Sequence, residues 1–176
     1  MPPVPPTRSS FVTVMAALSL ATAALGVLSG LLQALMLATM PGDAITQALQ
    51  AAGPPVPPRL QWALAHLQAL NLASTLLSAL VLLLSWGLLQ RREWGRRGFI
   101  AILVAGALAC LAGLPLFGHL LDWSRQLSGA DATDPLLLQF HAAMRTAMTM
   151  AAIAVAVLHG AIAWMLCTPR IRAEFA

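Results

Sequence analysis

Long stretches of the chain carry no alternation of apolar and polar positions, only apolar residues broken by short charged or proline-rich punctuation. Phe11 to Thr39 has no charge at all, and comparable runs follow at about 59–90, 98–121 and 135–167. Runs of about 18 or more apolar residues span a membrane as helices. The pattern therefore predicts an all-α, polytopic membrane protein, a four-transmembrane-helix antiparallel bundle. A secretory leader has an apolar region of only about 7–15 residues, so the first run is expected to stay in place as a helix.

The punctuation sets the boundaries. Residues 1–10, MPPVPPTRSS, read as a disordered cytoplasmic head, and 11–168 as a single transmembrane domain. Loops at 40–58 and 122–134 face outward, a turn at 91–97 faces inward, and 169–176 forms a cytoplasmic tail. In the first outer loop Asp43 can cap a short helix with Ile45, Ala48, Leu49 and Ala52 on one face, and PPVPP forms a stiff spacer. Asp134 is the expected N-cap of the last helix, with Pro135 at its first position, and Pro169 ends it. The second and fourth helices exceed 30 residues. At 1.5 Å per residue they outrun a hydrocarbon core of about 30 Å and should protrude on the outer side.

Composition sharpens the class. The chain is 59% hydrophobic and 9% charged, against about 25% charged in soluble domains. All basic residues are Arg, a bias that fits a GC-rich bacterial genome. With both termini inside, Arg8, Arg91, Arg92, Arg96, Arg97, Arg170 and Arg172 fall on the inner face. Arg59 and Arg125, Arg145 just within the last helix, and Asp43, Asp122, Asp131 and Asp134 fall outside. Lys and Arg accumulate on the cytoplasmic side, so the expected orientation is N-in, C-in, multi-pass, in a bacterial inner membrane.

Helices in lipid approach through small residues and are tied by polar ones. On the first helix Ser19, Thr22, Gly26, Ser29, Gln33, Met36 and Met40 share a face, with Gly30 beside it. On the second, Gln68, Asn71, Thr75, Ser78, Leu82 and Ser85 do the same. The two stripes are expected to pack together, with Gln33, Gln68 and Asn71 clustered toward the outer side. The bundle-facing side of the third helix is expected at Ala105, Ala109, Ala112, Leu116 and His119. For the fourth it is His141, Arg145, Met148, Ala152, Ala156 and His159.

Buried ionisable groups at membrane depth are costly and so mark candidate sites. The candidate is an outer-side polar site of His119, His141, Arg145 and Asp122 with Gln33, Gln68 and Asn71. His66 lies off the polar stripe, toward lipid headgroups. A His119–His141 pair is the geometry a haem would need, and Met36, Met40, Met144, Met148 and Met150 are the copper alternative, but no tight ligand cluster forms, and no cofactor or metal is expected. Cys110 and Cys167 lie in different runs without CxxC spacing and read as buried free thiols.

In QRREWGRRG, four arginines crowd between two spanning runs. A nucleic-acid surface would be a larger soluble basic patch, so no nucleic-acid partner is expected. Arg91, Arg92, Arg96 and Arg97 are placed to fix topology and meet anionic lipid headgroups. Trp94 suits the interfacial belt, Glu93 can pair locally, and Gly95 and Gly98 should permit the reversal.

The opening SSFVTVMAALSLATAALGVLSGLLQALM together with GLLQRREWGRRGFI resembles small bacterial four-helix inner-membrane proteins of unassigned function. These carry an S-F-V-T-V start and an R-x-W-[AG]-R turn between the second and third helices. The resemblance implies the topology and no activity. No P-loop, GxSxG, HExxH or intramembrane carboxylate pair is present, so the chain is not expected to be an enzyme. The expected role is that of an accessory, assembly or envelope component acting through helix and loop contacts. Its partners would be the bilayer and a second copy or another membrane protein. An oligomeric small-molecule carrier or channel using the outer polar site is the alternative, and a haem- or copper-binding redox protein the second alternative.

Overall fold

A computed structural model describes residues 9–39, 47–48, 51, 57–127 and 134–175. These residues are helical, with no strand among them. α1 spans Ser10–Thr39, α2 Pro58–Ala65, α3 Leu67–Leu89, α4 Glu93–Leu127, α5 Pro135–Cys167 and α6 Pro169–Arg172, followed by a 3-10 turn at Ala173–Phe175. Four of them (α1, α3, α4 and α5) are long and apolar enough to cross a membrane. The head before residue 9 lies outside the described residues. So do most of the 43–52 helix and PPVPP; residues 47, 48 and 51 are helical.

Helix ends follow local chemistry. α5 starts at Asp134, whose carboxylate accepts the Leu136 N–H at 2.9 Å, with Pro135 next. The continuous helix expected over 59–90 is broken at His66, which ends α2 with φ −114° and ψ 20°. Its ring Nδ1 donates to the Trp62 carbonyl at 2.8 Å while its own N–H bonds to Trp62 and Ala63. A side chain competing for that carbonyl offers the backbone an exit from the helix. The His66 ring also stacks on Trp62 at 4.7 Å.

The reversal between α3 and α4 is shorter than the expected 91–97 and does not use its glycines. Arg92 N–H bonds to Gly87 O and Arg91 N–H to Leu88 O, with Arg91 at φ 58°. That bond pair is a Schellman closure, with arginine in the left-handed position glycine usually takes. α4 therefore begins at Glu93, five residues before the expected start at Gly98. Glu93 suits the positive end of a helix, and its ion pairs to Arg96 and Arg97 staple the first turn.

The expected turn glycines serve close approach instead. A Cβ on Gly95 would lie 2.5 Å from the Gly87 carbonyl carbon and 2.7 Å from Leu88 N. On Gly98 it would lie 2.4 Å from Leu84 Cδ2. Gly87 in turn receives the ring edge of Trp94.

α1 and α3 pack as an antiparallel hairpin, but the α1 seam is rotated from the expected stripe. Buried or half-buried positions are Val12, Ala16, Ser19, Ala23, Gly26 and Gly30, whereas Thr22, Ser29, Gln33 and Met36 are exposed. Backbone proximity selected the smallest side chains over the polar ones: a Cβ on Gly30 would sit 2.0 Å from Thr75 Oγ1, and one on Gly26 2.8 Å from Ser78 Oγ. Thr22 spends its hydroxyl on carbonyls of its own helix. On α3 the expected Asn71, Thr75, Ser78, Leu82 and Ser85 do face inward, but Gln68 does not.

α4 and α5 form the second hairpin. The expected α4 face is also displaced: Ala105, Ala109, Ala112, Leu116 and His119 are exposed, while Leu103, Gly106, Cys110, Leu114, Phe117 and Leu121 turn toward α5. On α5 His141, Ala152, Ala156 and His159 are half-buried, but Arg145 and Met148 are exposed. Cys167, expected buried, is exposed at the α5 end.

Among the described residues the two hairpins share a core at one end only. Val12 and Ala16, Leu84 and Leu88, Phe99 and Leu103, and Ala163 and Leu166 cluster beside the α3–α4 turn. Ile171 and Phe175 complete it, so the segment expected as a tail packs back onto the structure. We call this the turn end and the opposite one the open end.

Gly95→Ala should lower thermal stability by about 1–3 kcal/mol, because the added methyl meets backbone that cannot step aside. Gly160→Ala, where the methyl meets nothing within 4 Å, should be neutral or slightly stabilising. Melting of both variants in detergent distinguishes close approach from glycine count; equal effects would refute the packing account.

Candidate functional site

Polar side chains gather at two places, one at each end. At the turn end the Arg91 guanidinium is the hub. It forms an ion pair with Glu174, donates to the Ser9 carbonyl at 3.0 Å and to Thr13 Oγ1 at 3.1 Å, and lies 5.8 Å from the Phe175 ring centroid. Glu174 also accepts the Ser9 N–H at 3.3 Å. One guanidinium thereby joins the α1 start, the α3–α4 turn and the C-terminal segment.

Arg96 is the second inward-facing cation. It is 6% exposed, donates to the Leu166 carbonyl at 3.0 Å and forks onto Glu93 at 2.9 and 2.6 Å. It satisfies a carbonyl at the end of α5, which has no intrahelical donor there. Arg91 and Arg96 are thus not the headgroup anchors expected from sequence. Buried guanidinium groups need partners, and the nearest acceptors lie within the fold. Arg92 and Arg97 do face solvent, and Trp94 is half exposed. Beside them a cavity of about 420 Å³ is lined by Glu93, Arg96, Pro169, Arg172, Ala173 and Phe175.

Fully buried Ser85 belongs to the same end, and its hydroxyl has no hydrogen-bond partner among the described residues.

At the open end, Asp122 of α4 and Arg145 of α5 pair at 3.2 Å. Together with His119 they line a cavity of about 350 Å³, beside Pro115. Proline inside α4 withholds the N–H that would bond the Leu111 carbonyl. These three residues are the part of the expected outer-side site that comes together.

His141 is held separately. Its Nδ1 donates to Leu137 O at 2.8 Å, and its ring meets Phe140 edge-on at 5.7 Å. Asn71 lies on the other hairpin and donates to the Gly30 carbonyl at 3.0 Å. Gln33 and Gln68 are exposed and form no hydrogen bond with it. The seven residues divide because the hairpins share no core at this end. Among the described residues, no group of three or more His, Cys, Asp or Glu is placed to hold a metal ion.

Sequence reasoning missed Ser9, Thr13, Ile171, Glu174 and Phe175. Ile171 and Phe175 are four residues apart, the spacing of one helical face, and they are the large apolar residues of an otherwise polar tail. That was the available signal. Nothing in the sequence marked Glu174 as the partner of Arg91.

No family model matches the chain, and no curated protein or solved structure matches it either.

Arg91→Ala and Glu174→Ala should each loosen the C-terminal segment, read as faster amide exchange at 169–175. The double mutant should be less destabilised than the sum, with a coupling of about 0.5–3 kcal/mol. Strict additivity would show that the pair carries no coupling.

Proposed function

We propose that this is a multi-pass protein of the bacterial inner membrane with both termini and the Arg-rich turn in the cytoplasm. It acts without catalytic chemistry of its own, as an accessory, assembly or envelope component. The observation that carries the reading is where polarity resides. Large apolar side chains such as Leu25, Leu35, Leu76, Leu108 and Val157 are more than half exposed along the four long helices. Charged groups lie toward the helix ends, Arg145 deepest as the eleventh residue of α5. In water such surfaces would be untenable; in a bilayer they face the solvent they suit. Among the described residues Arg91, Arg92, Arg96, Arg97, Arg170 and Arg172 belong to the turn-end segments, and the positive-inside rule assigns that end to the cytoplasm.

The use made of the charges supports a non-enzymatic role. At the turn end Arg91, Arg96, Glu93 and Glu174 are committed to one another and to backbone. A catalytic pair needs groups left free to meet a substrate.

The open-end cavity with His119, Asp122 and Arg145 favours a second reading, an oligomeric carrier or channel. In that reading the ion pair would receive a small polar solute. Asp122→Asn together with Arg145→Gln should then abolish a measured flux; unchanged flux would eliminate it.

Topology is directly testable. With Cys110 and Cys167 replaced by Ala, Ser124→Cys should react with a membrane-impermeant maleimide in intact cells. Arg172→Cys should react only after the cells are opened. The reverse pattern would invert the orientation, and extraction of the protein by alkaline carbonate would refute membrane integration. Purification in mild detergent should recover the protein with a partner or as an oligomer, and a strictly solitary chain would count against the accessory role.

A further inference from the structure

The open end holds a cavity that the polar cluster does not use. About 580 Å³ of space lies between α2–α3 and α4, walled by Leu60, Trp62 and Leu70 on one side and Leu116 and Leu120 on the other. That is within the roughly 300–1,000 Å³ of small-molecule sites. A second apolar cavity of about 440 Å³ adjoins it at Leu116 and Leu120 and continues between α4 and α5 as far as Ala109 and Val155. A side chain at Gly113, in its wall, would meet nothing within 4 Å. From Leu120 to Ala109 the trough follows α4 for about 16 Å at 1.5 Å per residue. One leaflet is about half of the 30 Å hydrocarbon core, so the trough is one leaflet deep.

A single charged residue, Arg59, lines either cavity. It stands in the first turn of α2, is exposed, and pairs with no carboxylate among the described residues. An exposed cation that pairs with no carboxylate among the described residues, at one end of an apolar trough, is complementary to an acyl chain carrying a negative head. Away from Arg59 and Trp62 the walls are apolar, so water there would find few hydrogen-bond partners.

We propose that the trough binds one acyl chain of an anionic glycerophospholipid, with its phosphate on Arg59. The inference rests on the membrane reading above. Arg59 supplies the charge preference, through a guanidinium that suits phosphate geometry. Leu116 and Leu120 supply the chain contact, where the gap between the hairpins keeps the lipid from exchanging as freely as lipid on the outer faces.

The test uses the full chain in nanodiscs of phosphatidylglycerol or of phosphatidylcholine with the same acyl chains. Native mass spectrometry reads retained lipid, and a phosphatidylglycerol with a diazirine in its acyl chain reads position. One lipid should be retained per chain, with phosphatidylglycerol preferred about five-fold, the change that one arginine–headgroup contact carries. Crosslinks should concentrate on α4 and α5 between Ala109 and Val155.

Arg59→Gln should erase the preference but keep the crosslinks. Leu116→Trp should fill the trough and remove the crosslinks, while Leu28→Trp on the outside of α1 should change neither. Circular dichroism confirms that each variant is folded. Crosslinks spread evenly over the helices, or a preference unchanged in Arg59→Gln, would each overturn the proposal. Alkaline extraction separates the two levels. A chain that leaves the membrane fails the underlying reading, whereas an embedded chain with even labelling fails only the lipid site.

Discussion

Hydrocarbon gives two leucine faces no reason to leave it for each other, so helices in a bilayer hold together only where backbones come close or polar groups must be satisfied. Both requirements are met most densely at the turn end. Gly95 lies against the backbone of Gly87 and Leu88. Arg96 reaches across to the Leu166 carbonyl near the end of α5, and Arg91 draws Ser9 and Glu174 onto the turn. Farther along, α1 and α3 keep contact through Gly26, Gly30 and the Asn71 bond, and α4 and α5 through the exposed Asp122–Arg145 pair. Little connects one hairpin to the other there, where the cavity between α2–α3 and α4 opens.

Arg91 combines a local cost with a distant return. A non-glycine residue in the left-handed region is disfavoured by roughly 1–2 kcal/mol. The same residue carries a guanidinium with five donors, directed at Glu174, Ser9 and Thr13. Glycine would relax the backbone but leave Glu174 half-buried without its partner. The side chain's bonds thus offset the turn's backbone strain.

The four long apolar helices and the α5 cap were legible because they rest on run length and on Asp134–Pro135, signals that need no tertiary information; the break at His66 and the start of α4 at Glu93 were not. The faces were legible only in part. On α3 polar and packed positions coincide, so Asn71, Thr75 and Ser78 were found. On α1 the packed face is set by the smallest residues, whereas on α4 the alanines expected to pack are exposed and Leu103, Leu114 and Phe117 turn inward; in helices this rich in alanine several faces are small. Arg96 was misread because burial of an arginine depends on which carbonyl lies opposite, here that of Leu166, seventy residues away. The candidate open-end site was over-collected for a related reason. Residues at one membrane depth need not share a place when the helices bearing them belong to different hairpins. His119, Asp122 and Arg145 share one hairpin and meet; Asn71 does not.

The Arg91–Glu174 contact also has a place in time. Its partners are 83 residues apart, and chains grow at about 5–20 residues per second, so roughly 4–17 s separate their synthesis. Through that interval α3 and α4 turn back on each other held by the Schellman bonds, the Gly87–Gly95 approach and the packing of Leu84 and Leu88 on Phe99 and Leu103, without the Glu174 bond. The joint is completed when the final helix has entered and Glu174 arrives, making the end of this segment the fastener of its middle.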